Sequence, residues 1–279
     1  MNPTILLLTD FGTQDPYVGI MKGVIRTLAP QAALVDLTHA IPPGDIRRAA
    51  LVLWQSLPYF PKGTVCLTVV DPGVGTSRKA MIARSNGYLF VGPDNGVFSF
   101  VLGDDAQAWE LTNPELALPS TSNTFHGRDL FSPAAAHAAR GVPPERFGPP
   151  ILQPTFLPPP RLDSRAPGQI RAEILHADRF GNLLTSLGRF AREAFGRWRF
   201  SPWIGELAPQ ELDLHATRLA LPDGNTLRWV NTFGEIPPGQ CAALVGSTGL
   251  VELVANRRSA AEILGLQGGE TIILHLNTD

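Results

Sequence analysis

The stretch VPPERFGPPILQPTFLPPPRLDSRAPG, which begins at Val142, divides this chain in two. Proline has no amide hydrogen and a fixed φ, so a segment this dense in it forms neither a regular helix nor a central strand. The expected organisation is a first domain over residues 1–150, a proline-rich linker over 151–168 and a second domain over 169–279. At 279 residues, 44% of them hydrophobic, the chain can bury two cores.

The two parts differ in texture. In the first, residues 4–8 read as a buried strand, and residues 33–37, 64–70 and 88–91 as three further strands. Between them, Tyr17–Leu28 and residues 44–57 carry helical apolar spacing, with Asp45 in the first turn of the second helix. Residues 133–140 form a further helix, with proline in its first turn and Gly141 after it. Such alternation predicts a mainly parallel sheet covered by helices. In the second part, residues 169–176 alternate as a strand does, and short strands recur at 217–221, Cys241–Val245, 250–254 and 271–276, with a short helix at Ala260–Leu264. That pattern predicts a smaller, mostly β domain, and the fold class is α/β.

Composition excludes several partners. A net charge of −2 with no cluster of Lys and Arg disfavours nucleic acid and anionic membranes. No run approaches the roughly 18–20 apolar residues of a membrane span. MNPTILLLTD has no basic leader region, and its short apolar run ends in aspartate, so it reads as a core strand of a cytoplasmic protein. Cys66, in TVCLTVV, and Cys241, beside AALV, read as buried free thiols.

Aspartates follow the apolar runs: Asp10, Asp36, Asp71 and Asp94. In an open parallel sheet the loops after the strands line the ligand crevice, so a set of carboxylates there points to chemistry. Any one of them could instead cap a helix or hold a turn, and for Asp36, in DLTH with His39, holding the loop is the reading adopted. The surroundings sharpen the rest. TDFGTQDPYVG carries Asp10, VVDPGVGTSR joins Asp71 to Arg78, and NTFHGRD carries His126. Neither glycine loop ends as a P-loop does, and neither has the dinucleotide GxGxxG pattern. No HExxH or HxH spacing marks a metal site, so no metal is expected.

These motifs, with PDNG, D.FGN..T and GSTG.VE…N, resemble in order the S-adenosylmethionine hydroxide adenosyltransferase family, relatives of the S-adenosylmethionine-dependent fluorinases and chlorinases. The resemblance runs from about residue 4 to residue 265; only the proline stretch and residues around 187–230 lack motif support. It implies an N-terminal α/β sandwich domain, a C-terminal β-barrel-like domain and a homotrimer with the active site between subunits. It implies an enzyme that hydrolyses S-adenosylmethionine to adenosine and methionine, a small-molecule substrate and no cofactor.

The family's catalytic trio falls on Asp71, Arg78 and His126. Attack on C5′ expels a neutral thioether, so the site must orient and deprotonate water while needing no acid for the leaving group. Asp71 and His126 would bind the water and take its proton, with the base left open between them. Arg78 would keep Asp71 ionised. The resemblance gives Asp10 to the ribose hydroxyls, Asp178 to the methionine ammonium, and Asn182 and Phe233 to adenine. It gives Ser247 and Thr248 to the methionine carboxylate, and Glu252 with the backbone near Arg257 to the adenine pocket. Two rivals stand beside hydrolysis. Halide attack on the same carbon is disfavoured by the Asp71/His126 pair, and by Gly127 where a hydroxyl donor for fluoride would sit. A non-catalytic adenosine or S-adenosylmethionine sensor would not need all three catalytic-type residues.

Overall fold

The apolar runs of the first part become a six-stranded sheet. Its strands are β1 (Thr4–Thr9), β2 (Ala33–Thr38), β3 (Val65–Val69), β4 (Ala80–Ser85), β5 (Tyr88–Pro93) and β6 (Gln107–Glu110), in the order β2-β1-β3-β5-β4-β6. The first four in that order run parallel. β4 and β6, which the hydrophobic pattern does not reveal, add antiparallel to one edge. The computed structural model describes residues 2–276, and the chain forms two units, Met1–Leu157 and Pro158–Asp279.

Successive side chains of a strand point to opposite faces, and the core of the first unit follows that rule. On one face Ile5, Leu7 and Leu67 pack with Met21 and Ile25 of α1 (Tyr17–Leu28) and Ala134, Ala135 and Ala138 of α3 (Ser132–Ala139). On the other, Leu6, Leu8 and Cys66 pack with Ala49 and Leu53 of α2 (Ile46–Ser56). Asp45 lies just before α2 and caps it, accepting the Arg48 N–H at 2.9 Å. Burial pushes the Cys66 thiol up to about 12; Cys241 is free but only half-buried.

The second unit is antiparallel. Its strands are β7 (Leu162–Ala166), β8 (Gln169–Ala177), β9 (Leu183–Thr185), β10 (Phe190–Arg192), β11 (Trp198–Phe200), β12 (Gln210–Leu212), β13 (Arg218–Ala220), β14 (Thr226–Leu227), β15 (Cys241–Val245), β16 (Val251–Ala255) and β17 (Thr271–His275), with α4 at Ala260–Leu264. The main sheet runs β14-β13-β17-β8-β9-β16-β15, with β7 paired to β8, and β10-β11-β12 form a small sheet. The main sheet nearly closes on itself. Beyond β14, the Val230 N–H donates to the Ala243 carbonyl of β15 (2.9 Å), and the Ala243 N–H donates to the Arg228 carbonyl (2.9 Å).

The proline stretch is not a free linker. Ile151, Thr155 and Leu157 donate their backbone N–H groups to the Ala108 carbonyl (2.8 Å), Asp94 Oδ1 (2.7 Å) and Ser99 Oγ (2.7 Å), which lays residues 151–157 on the first unit. Residues 162–166 lack proline and pair with β8 as a strand. Proline density excludes a helix or a central strand, but it leaves backbone groups between prolines free to bond. Among the described residues no helix is long and apolar enough to cross a membrane.

Candidate active site

Asp10 and Asp71 leave the same edge of the first unit's sheet, because they follow the adjacent parallel strands β1 and β3. Asp10 Oδ2 accepts the Gly44 N–H at 2.8 Å. Its loop is held from behind. His39 Nδ1 meets Thr9 Oγ1 at 2.9 Å, Asp36 Oδ1 lies 3.0 Å from His39 Nε2, and Lys22 Nζ donates to Asp36 Oδ2 at 2.6 Å. Asp36 therefore serves the loop, as its sequence context implies. Asp94 is also structural, being spent on Thr155.

The Asp71 loop folds back on itself so that Arg78 meets Asp71. The Val74 N–H donates to the Asp71 carbonyl and the Thr76 N–H to the Gly73 carbonyl, both at 3.2 Å. Gly75 has φ +77°, and a Cβ there would stand 2.5 Å from the Asn123 carbonyl oxygen. Only glycine lets this loop lie against the segment that leads to His126.

Arg78 joins the trio. Its Nε donates to both Asp71 oxygens (2.9 and 3.0 Å), and its Nη2 donates to Asp71 Oδ2 and to His126 Nδ1, the latter at 2.8 Å. The Asp71 and Arg78 side chains are only 5% and 10% exposed, so solvent screens the pair little. A guanidinium only donates, so Nδ1 of His126 must carry the lone pair, and the neutral ring holds its hydrogen on Nε2. Burial, and after it the charge of Arg78, lowers the His126 pKa and favours that neutral ring.

His126 stands just before a wide turn, Gly127–Phe131, in which the Ser132 N–H reaches back five residues to the Gly127 carbonyl. Such π-type turns recur at functional sites. The turn brings the buried Phe131 ring beneath Arg78, whose guanidinium carbon is 5.3 Å from the ring centre. Around Gly127 the space is full: an added Cβ would lie 3.2 Å from the Phe125 ring, 3.3 Å from Met21 Sδ and 3.4 Å from the Phe11 ring.

The second unit holds an open cleft of about 740 Å³ lined by Asp178, Phe180, Asn182, Phe233, Ser247, Glu252, Ala255, Arg257, Arg258 and Ser259. Asp178 is fastened by its own turn. Oδ1 accepts the N–H groups of Phe180 (2.8 Å) and Asn182 (2.9 Å), and Oδ2 accepts Asn182 Nδ2 (2.9 Å). Burial, with the nearby Asp178 charge, raises the Glu252 pKa. Its carboxyl crosses the backbone of Gly246, where a Cβ would stand 1.9 Å from Oε1.

Profiles for the SAM hydroxide adenosyltransferase N-terminal and C-terminal domains match residues 5–148 and 172–273. The chain belongs to the SAM hydroxide adenosyltransferase family. It is 41% identical to the (R)-S-adenosyl-L-methionine hydrolase of Thermus thermophilus, over 97% of this chain and 98% of that one. A solved Thermotoga maritima protein superposes with a TM-score of 0.82 at 31% identity, covering 97% of this chain and 99% of its own. The fluorinase of Nocardia brasiliensis is more distant, at 25% identity over 97% and 96% of the two chains.

The residues carried over from the SAM hydroxide adenosyltransferase motifs fall into two groups. Asp71, Arg78 and His126 meet in the first unit, with Asp10 on the same sheet edge. Asp178, Asn182, Phe233, Ser247 and Glu252 line the cleft of the second. Thr248 is not among its lining residues, and its hydroxyl oxygen is buried without a hydrogen-bond partner. Phe180, Arg258 and Ser259 line the cleft unforeseen; the exposed aromatic inside DRFGN was the available signal for Phe180. Among the described residues no group of three His, Cys, Asp or Glu is placed to hold a metal.

Proposed function

We propose that this chain hydrolyses S-adenosyl-L-methionine to adenosine and L-methionine, with water attacking C5′ in line with the departing sulfonium. The observation that carries the catalytic assignment is Arg78 bonded at once to Asp71 and His126. Arg78 pairs with the Asp71 carboxylate while leaving it lone pairs that Arg78 does not use. His126, its Nδ1 taken by Arg78, has only an N–H to offer at Nε2 and so orients the water as a donor. Asp71 is then the group that accepts the water's proton. The leaving thioether is neutral and needs no acid.

Recognition falls to the remaining residues. The free oxygen of Asp10 takes a ribose hydroxyl, Asp178 the substrate ammonium, Asn182 an adenine edge, the half-exposed Phe233 an adenine face and Ser247 the carboxylate. Glu252 closes the adenine end of the cleft. Thr248, beside Ser247, is the second candidate for the carboxylate contact. No cofactor or metal is required by this chemistry. We further propose a homotrimer in which catalytic and recognition residues come from neighbouring subunits, and a cytoplasmic location, with which two free cysteines agree.

Halide attack is the second reading, and two observations oppose it. The Asp71 carboxylate would repel a halide, and a hydroxyl donor added at Gly127 would crowd Phe125, Met21 and Phe11. The test is turnover of S-adenosylmethionine in water enriched in heavy oxygen, with and without chloride. Adenosine labelled at its 5′ oxygen, together with methionine, is the expected product. A 5′-halo nucleoside would move the chain to the halogenase reading, and binding without turnover would leave a sensor.

A further inference from the structure

A guanidinium that bonds two partners through its edge can still lose one of them by tilting out of plane. What resists that is an attractive surface packed against the group. In this structure the guanidinium carbon of Arg78 stands over the Phe131 ring, 5.3 Å from its centre. The same ring meets the imidazole of His126 at 6.5 Å between centres, with the planes 78° apart. Phe131 is fully buried among Met21, Val69 and Ala134 and sits at the end of the wide turn that begins after His126. One rigid ring thus touches both arms of the arrangement that the sheet and the turn bring together.

We propose that Phe131 is a positioning residue for the hydrolysis: the negative face of its ring holds the Arg78 cation in place, so that Asp71 and His126 stay bonded to it together. The inference rests on the catalytic roles proposed for the trio. A cation over an aromatic face is bound more strongly when desolvated, and Arg78 is nearly buried. An aliphatic side chain of similar volume would fill the same core space and supply no such attraction.

The test separates the charge distribution of the ring from its bulk. Phenylalanine carrying one, two and three ring fluorines is installed at position 131 of the full chain. Fluorination drains the ring face of negative charge and changes its shape little. The expected result is a stepwise fall in kcat, to about tenfold below the parent at three fluorines, with KM within about twofold. In parallel, the His126 midpoint followed by NMR rises toward the ordinary histidine value as Arg78 loosens. Phe131→Leu, checked by melting temperature, lowers kcat by at least as much. Unchanged kcat and an unchanged His126 midpoint across the series would overturn the proposal and leave Phe131 as filler. The NMR midpoint reads the Arg78–His126 contact without turnover, so a shift in a protein that does not hydrolyse the substrate would sink the catalytic reading while sustaining the positioning one.

Discussion

The two units prepare their residues to different degrees. In the first, Asp71 and Arg78 are almost buried and bonded to each other and to His126. In the second, Phe233 is 44% exposed and Phe180 73% exposed, and the cleft is open. Asp178 and Asn182 are fastened there, to each other. Groups that must stabilise developing charge gain most from being placed in advance in a poorly solvated setting. Groups that recognise a flexible, many-contact ligand can be ordered by it at some cost in affinity. On the roles proposed above, the difference sets a preset chemical half against an adaptable recognition half.

The sharpest way to break this comparison is at Asp71. Asp71→Asn should lower kcat by about a thousandfold with KM little changed, because the proton acceptor is gone and the cleft is untouched. A variant that keeps a tenth of the activity in single-turnover kinetics would remove Asp71 as the base. Arg78→Lys comes next, at about a hundredfold in kcat. An ammonium is a point charge and cannot hold Asp71 and His126 in one plane.

Asp178→Asn tests the other half. KM should rise about tenfold, with kcat within a few-fold of the parent, since a neutral amide cannot pair with the substrate ammonium as a carboxylate does. An equal loss in kcat would mean that the cleft also sets the reacting geometry.

The pH dependence is a smaller effect. His126 is depressed by burial and by Arg78, so it stays neutral down to a pH below its usual value near 6.5. The acid limb of kcat should therefore lie below that value. Removing the cation in Arg78→Met should move the His126 midpoint upward, as followed by NMR. Least of all, Gly246→Ala should displace Glu252 and cost about 1–3 kcal/mol in stability, measured by denaturant unfolding.

Much of this arrangement is legible in the sequence. Asp71 and Arg78 are seven residues apart in one glycine-rich loop, and His126 lies in a motif of its own; the pattern marks these segments, and the family resemblance gives the three residues their roles. The parallel strands β1, β3 and β5 are legible because they are apolar runs. Strand β4 is not, because AMIARS carries an exposed arginine near its end. The fate of residues 151–157 is hidden for another reason: what binds them is backbone bonding to Asp94 and Ser99, and no hydrophobic pattern records it. Phe131 is not singled out in the sequence, which shows its bulk and not which cation lies on its face.

The wide turn at Gly127–Phe131 also has a consequence for insertions and deletions. It holds one residue more than an α-helical path between His126 and α3 would need. Deleting any one residue there would let the segment relax into a regular helix and swing His126 by about 100° about the axis of α3, away from Arg78. Relatives that keep the reaction should keep the length of this turn, and an aromatic ring at its last position.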